Sequence, residues 1–336
     1  MLKKTTCAAL VLGALASLAY TGAIQAENKP IDVVTVVKIT GISWFNRMEV
    51  GVKEFGAGNP GVTTRQIGPA QSDAAQQQRL VEDLVAKKVD AIAVVSMDPP
   101  TLEPVLKRAM ERGIKVVTHE ADNQKNTMVD IEAFDNTAYG ARLNDRLAAC
   151  MGQKGKWSSL VGSLGSQSQV QWADGGASNA AKKYPGMTLV DAKNESANDA
   201  EKAYSKAKEI LRKHPDIKGF QGSSSLDVLG IGRAVEEAGL QGKICVYGTG
   251  LPSEAAKFLE SGAVGGIAFW DPKDAGIMMN KAAVMLVQGK KITDGMDMGV
   301  SGYNKVAVKK GPGAGVIVTG QAWVEVDKSN YKKYAF

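Results

Sequence analysis

The residues able to do chemistry stand where strand-like runs give out. Lys38 closes the run Val33-Val34-Thr35-Val36-Val37, and Trp44-Phe45 follow across a short loop containing Gly41. An ammonium donates to hydroxyl or carbonyl oxygens, and an aromatic face covers the apolar C–H side of a ring. That pairing suits a polyhydroxyl ring, although Trp44 and Phe45 fit a hydrophobic core equally well. Further along, Glu120 and Asp122 follow the apolar run at 114–118, and Gln167, Ser168 and Gln169 follow 157–161. Ser223, Ser224 and Ser225 come after 217–221, and Asp271 after 263–270. Carboxylates, amides and hydroxyls each accept from or donate to sugar OH groups, and carboxylates make the stronger, charge-assisted bonds. Glu120 and Asp271 are therefore the first carboxylates to back. Singly, each of these residues fits a helix cap or a loop as well, and Asp227 reads as a cap. Their common position at strand ends is the argument.

No catalytic set assembles beside them. His119 follows a strand and reads as a packing residue; His214 lies in a Lys-His-Pro turn and reads as solvent-facing. HExxH, CxxC, GxSxG and Walker spacings are all missing from the sequence, so a metal centre, a covalent nucleophile and a bound nucleotide cofactor lack their parts. Gly230-Ile231-Gly232 falls inside a helical pattern rather than after a strand, where a dinucleotide turn belongs. The expectation is a binding protein, not an enzyme, with no cofactor and no metal.

The elements that must position these residues are strands alternating with helices. Residues 31–37 read as a strand buried on both faces, and Met48, Val52 and Phe55 recur at helical spacing after it. A helix at 73–88, a strand at 91–95, a helix at 101–112 and a strand at 114–118 continue the plan. After a polar passage at 130–136 it repeats: helices at 137–152, 199–213 and 227–239 alternate with strands at 157–161, 187–190, 217–221 and 243–248. Pro272 opens a helix running to 288, since proline is tolerated at the first helical position. Short strands close the reading at 316–318 and 323–326. The predicted fold class is α/β, with two similar doubly wound parallel-sheet domains joined by a three-stranded hinge. Crossings are predicted near 130–136, 269–272 and 296–304. One lobe then comprises 27–132 with 272–296, and the other 133–271 with 297–336. Open α/β sheets bind ligands outside the carboxyl ends of their strands, which puts the site in the cleft between lobes.

The 336 residues are too many for one ordinary core. The first 26 carry Lys3 and Lys4, a short apolar run from Ala8 to Ala19, and Ile24-Gln25-Ala26, the pattern of a cleaved export signal. The net charge of +6 includes Lys3 and Lys4, and the remaining Lys and Arg are scattered, which disfavours nucleic acid as a partner. Cys7 lies in the leader; Cys150 and Cys245 sit in apolar surroundings and read as two buried free thiols in preference to the one disulfide an oxidising compartment would allow.

The segments VKITGISWFN, KKVDAIAVVSMDPPTLEPVLKRAMERGIKVVTHEAD, YGTGLPSEAAKFLESGAV, IAFWDPKDAG and SNYKKYAF carry a family resemblance. The chain resembles the periplasmic binding proteins of sugar ABC importers, in the ribose-binding group, on the rhamnose and autoinducer-2 (LsrB-type) branch. The resemblance spans essentially everything after the leader and implies the type I periplasmic binding protein fold, a periplasmic location and a monomer. It implies an importer permease as partner; the alternatives are sensing through a membrane chemoreceptor and a LacI-like ligand-responsive protein, the latter disfavoured because it would begin with a helix-turn-helix. Position by position it implies ligand contacts from Lys38, Phe45, Glu120, Ser168, Gln169, Gly222, Ser224 and Asp271, to which the residue reading adds Trp44 and Asp122. Glu120 and Ser168 stand where the autoinducer-2 pattern has aspartates, and Gly222 and Ser224 replace a proline and an alanine. The implied ligand is thus a rhamnose-like deoxy-sugar, a pentose or an autoinducer-2-like molecule.

Overall fold

Val33, Val34 and Val36 are fully buried in β1 (Ile31–Val36) of the computed structural model, which describes Met1 and residues 29–336. Residues 2–26 of the predicted leader lie outside the described residues. From β1 the chain runs through α1 (Ser43–Ala57), β2 (Val62–Ile67), α2 (Ala74–Lys87), β3 (Ala91–Val95), α3 (Pro99–Glu111), β4 (Lys115–His119) and β5 (Val129–Glu132). There follow α4 (Asn136–Met151), β6 (Lys154–Val161), α5 (Gln167–Lys183), β7 (Gly186–Glu195), α6 (Ala200–Lys213), β8 (Ile217–Gly222) and α7 (Asp227–Glu237). Next come β9 (Cys245–Thr249), α8 (Pro252–Ser261), β10 (Gly266–Phe269), α9 (Pro272–Val287), β11 (Ala307–Lys310), β12 (Val316–Thr319) and β13 (Val324–Val326).

Two sheets result, one in each lobe. The first has the order β11-β12-β5-β4-β3-β1-β2 and the second β13-β10-β9-β8-β6-β7. All pairings are parallel except β11 with β12 and β10 with β13, at the sheet edges. Strands buried on both faces need helices on both sides, and β3 is accordingly an unbroken buried run, AIAVV. Helix α9 returns to the first lobe and packs on α1 so closely that a Cβ on Gly51 would meet the Lys273 carbonyl at 2.0 Å. Buried Gln77 ties strand ends together: its Nε2 donates to the Val37 and Val95 carbonyls, and its Oε1 accepts from the Met97 N–H.

The chain crosses between lobes after β5, after β10 and between β12 and β13. The third crossing corrects the expectation of 296–304 and of a second lobe holding 297–336. β11 and β12 belong to the first sheet, with β12 laid parallel on β5 in the register Val316↔Val129, so the passage falls at Gly320–Trp323. The glycines that made this tail look irregular permit close backbone approach. A Cβ on Gly313 would lie 2.1 Å from the Lys125 carbonyl, and one on Gly315 2.2 Å from the Thr127 carbonyl.

The cysteines are corrected too. Cys150 at the end of α4 and Cys245 at the start of β9, 95 residues apart, form a disulfide with Cα atoms 5.9 Å apart. Apolar neighbours suggested thiols, but the fold sets the two Cα atoms within bridging range. His214 likewise is mostly covered, with Nε2 2.8 Å from an Asp191 carboxylate oxygen.

Candidate functional site

β1 and β4 deliver the two charges of the cleft. Lys38, just past β1, is buried, and its Nζ donates to Glu120 Oε2 at 2.6 Å and to Ser166 Oγ at 2.9 Å. Glu120 follows β4 with φ of +58°, a left-handed conformation rare outside glycine and asparagine. Ser168 Oγ donates to the same carboxylate oxygen at 3.0 Å. Lys38 and Glu120 belong to the first lobe; Ser166 and Ser168 stand at the N-terminus of α5 in the second. Burial pushes the Glu120 carboxyl up, but the Lys38 charge and the bonds from Lys38 and Ser168 outweigh it and hold the group below the usual glutamate range. The α5 N-terminus, whose first N–H groups carry partial positive charge, favours the same anion.

Around this pair the two lobes line a pocket. The first lobe supplies Lys38, Ile42, Trp44, Phe45 and Glu120; the second supplies Gln169, Trp172, Asn198, Ser223, Ser224, Ser225 and Thr249; Trp270 comes from the second crossing. Trp44 and Trp270 meet edge to face with ring centroids 4.6 Å apart, and Trp172 lies 5.5 Å from Trp270. The wall is aromatic with Ile42 beside it, and apart from the Lys38–Glu120 pair the remaining lining is hydroxyl and amide. Asp227 builds the serine loop: its carboxylate accepts from the N–H groups of Ser223 and Ser224 at 3.0 and 2.8 Å and from Ser196 Oγ at 2.6 Å. It stitches the loop before α7 rather than capping the helix, and burial raises it to about 6 against the pull of those bonds. Gln169 is fixed by its Oε1, which accepts from the Gly162 N–H at 2.7 Å.

The predicted site residues divide accordingly. Lys38, Trp44, Phe45, Glu120, Gln169 and Ser224 line the pocket. Ser168 stands behind Glu120 as its hydrogen-bond donor. Gly222 is backbone support, where a Cβ would come 2.8 Å from that of Asp227. Asp122 bridges the lobes outside the pocket, accepting from Gln171 Nε2 at 2.9 and 3.0 Å.

Asp271 requires a correction. It turns away from the pocket, accepts Arg47 Nε at 2.9 Å and Nη2 at 2.6 Å, and caps α9 by accepting the Lys273 N–H. The capping alternative before Pro272 describes where its side chain goes; the strand-end position alone did not fix the side chain's direction. His119 packs as predicted from its place: it is buried, its ring Nδ1–H donates to the Ile131 carbonyl at 2.6 Å, and burial keeps it neutral. Ser223 and Ser225, from the serine run singled out after 217–221, line the pocket with Ser224; Ile42, Trp172, Asn198, Thr249 and Trp270 line it without having been expected as ligand residues. Trp172 and Asn198 carry no signal in sequence, one lying within a helix and the other in a turn. Among the described residues no group of three or more His, Cys, Asp or Glu side chains is placed to hold a metal ion.

Comparison with known proteins bears on this geometry. Residues 33–291 match the family model described as a periplasmic binding protein domain. The D-ribose/D-allose-binding protein of Pseudomonas aeruginosa is 30% identical over 253 residues, 72% of this chain and 77% of that protein. The D-allose-binding periplasmic protein of Escherichia coli is 30% identical over 216 residues, 62% of this chain and 69% of that one. Among solved structures, a solute-binding protein of Clostridium phytofermentas with bound L-rhamnose superposes with a TM-score of 0.84 at 22% identity, covering 91% of this chain and 98% of its own. LsrB of Clostridium saccharobutylicum in complex with AI-2 gives 0.82 at 20% identity, covering 91% and 100%. At those identities the likeness to the two structures is one of fold.

Proposed function

The chain belongs to the periplasmic binding protein domain family, and from that premise we propose that it captures a neutral sugar in the periplasm by lobe closure and delivers it to an ABC importer. The observation that carries this reading is the self-compensating pair Lys38–Glu120, bonded across the cleft to Ser166 and Ser168. The pocket lining holds one cation and one anion already paired, so an ionic ligand finds no free counter-charge there. What the pocket offers instead is hydroxyls, amides and an aromatic wall of Trp44, Phe45, Trp172 and Trp270. Those groups suit a ring with hydroxyls on its edge and an apolar face: a deoxy-sugar, a pentose or an autoinducer-2-like molecule. The relatives named for D-allose and D-ribose and the fold neighbours holding L-rhamnose and AI-2 support that class. A ligand held by groups of both lobes at once binds the closed form more tightly than the open one, and so shifts the population toward it. The Cys150–Cys245 disulfide suits an oxidising compartment.

A thermal-shift screen of L-rhamnose, D-ribose, D-allose, D-arabinose and autoinducer-2 tests the reading. A ligand that binds only the folded protein stabilises it by about 2.7 kcal/mol at one hundred times its Kd. One of these compounds raises the melting temperature with concentration while remaining chemically unchanged. No shift from any of them, or turnover of one, refutes the proposal.

A further inference from the structure

Between β7 and α6 the backbone takes an unusual path: Ala197 and Asn198 are consecutive non-glycine residues with φ of +53° and +51°. Left-handed backbone is unfavourable for residues with a Cβ, and asparagine tolerates it far better than alanine. The turn is held in place from one side by Ser196, whose hydroxyl bonds Asp227 beneath the serine loop. Its effect is to carry the Asn198 side chain into the cleft, where it lines the pocket beside Gln169. There Asn198 Oδ1 accepts from Gln169 Nε2 at 3.2 Å, and its Nδ2 donates to Ser72 Oγ at 3.0 Å. Ser72 belongs to the loop before α2 in the first lobe and is not among the pocket-lining residues. The relay has been given room: a Cβ on Gly162 would fall 2.0 Å from Asn198 Oδ1 and 2.7 Å from Gln169 Oε1.

We infer that Asn198 is a positioning residue that couples occupancy of the pocket to closure of the lobes, holding the Gln169 amide toward the ligand with one end and latching onto Ser72 with the other. This rests on the sugar-capture reading above. The Asn198–Ser72 bond exists only when the lobes are together, so it adds to the closed state alone and slows reopening. Encounter with the open form does not involve it. The signature is therefore a faster dissociation rate at an unchanged association rate.

Asn198→Gly removes the amide while keeping a residue at home in left-handed backbone, and Ser72→Ala removes the partner from the other lobe. Stopped-flow kinetics with whichever of L-rhamnose, D-ribose, D-allose, D-arabinose and autoinducer-2 binds the wild type most tightly give the test. Each variant raises the dissociation rate, Ser72→Ala by about 3- to 10-fold for one neutral hydrogen bond. Association stays within about two-fold, and Ser72→Ala adds nothing in the Asn198→Gly background. An unchanged dissociation rate in Ser72→Ala, or full additivity of the two changes, overturns the latch. If none of the five screened compounds binds the wild type, the sugar reading fails alone, and small-angle scattering of ligand-free protein decides the latch. A larger radius of gyration in both variants supports it; wild-type values overturn it.

Discussion

Glu120 keeps its charge inside a closed cleft because three groups compensate it at once: Lys38, Ser168 and the N-terminus of α5. Glu120→Gln keeps the shape and removes the charge, which leaves the buried Lys38 ammonium without its counter-ion. Sugar affinity is expected to fall about 10- to 100-fold, the equivalent of one charged hydrogen bond at about 1.5–3 kcal/mol. Because the folded-state pKa of Glu120 is lowered, its stabilising contribution is present above the unfolded value and is lost as pH falls through the folded one. Asp271→Asn behaves differently. Asp271 serves Arg47 and the cap of α9; asparagine keeps a capping oxygen but loses the charged pair with Arg47, so affinity stays unchanged while stability drops by about 1 kcal/mol or less. Isothermal titration and thermal melting of the two variants separate the roles; weakened binding in Asp271→Asn contradicts the geometry described.

At the level of elements, what could be read in advance depended on whether a strand advertises itself by apolar residues. β1, β3 and β4 do so, since parallel strands covered on both faces become near-continuous β-branched runs. β5 does not: its four residues are all buried, yet two of them are Asp130 and Glu132, so VDIE reads as a polar crossing. β2, with its alternating VTTRQI at the sheet edge, and β11 were invisible for the same reason. The strand ends bearing Lys38, Glu120 and Gln169 were legible because their strands were. Trp172 and Asn198 were not, because tertiary placement alone brings a mid-helix tryptophan and a turn asparagine to the cleft. The disulfide belongs to this scale as well, since it pins the end of α4 to β9. Closing a loop of 95 residues restricts the unfolded chain by roughly 4–5 kcal/mol in the chain-entropy account. Cys150→Ser with Cys245→Ser, or reduction of the native protein, lowers the unfolding midpoint; a midpoint indifferent to reductant counts against the bond.

Across the whole molecule, the three crossings surround a buried acidic pair that the ligand reading does not use. Asp130 and Glu132 are both buried on β5 immediately before the first crossing. Asp130 accepts from Thr118 Oγ1 at 2.6 Å, and Asp130 Oδ2 and Glu132 Oε1 lack a hydrogen-bond partner among the described residues. Burial pushes Asp130 up to about 6, with Asp122 raising it further against the Thr118 and Glu132 bonds. Burial, the Asp130 charge and the Asp122 charge drive Glu132 well above the usual glutamate range. A carboxyl whose folded pKa exceeds its unfolded one binds its proton more tightly when folded. Folding stability is then unaffected below the unfolded pKa, and falls as pH rises from there to the folded value, by about 1.4 kcal/mol per pH unit for one proton. Glu132→Gln removes the group that must shed that proton and supplies an amide able to donate to Asp130. The variant therefore melts close to the wild type at pH 4, and its advantage widens through pH 6 to 8. Calorimetric melting of both proteins across that range gives the comparison, and a difference that stays flat with pH means that the pair at the crossings does not titrate as its burial requires.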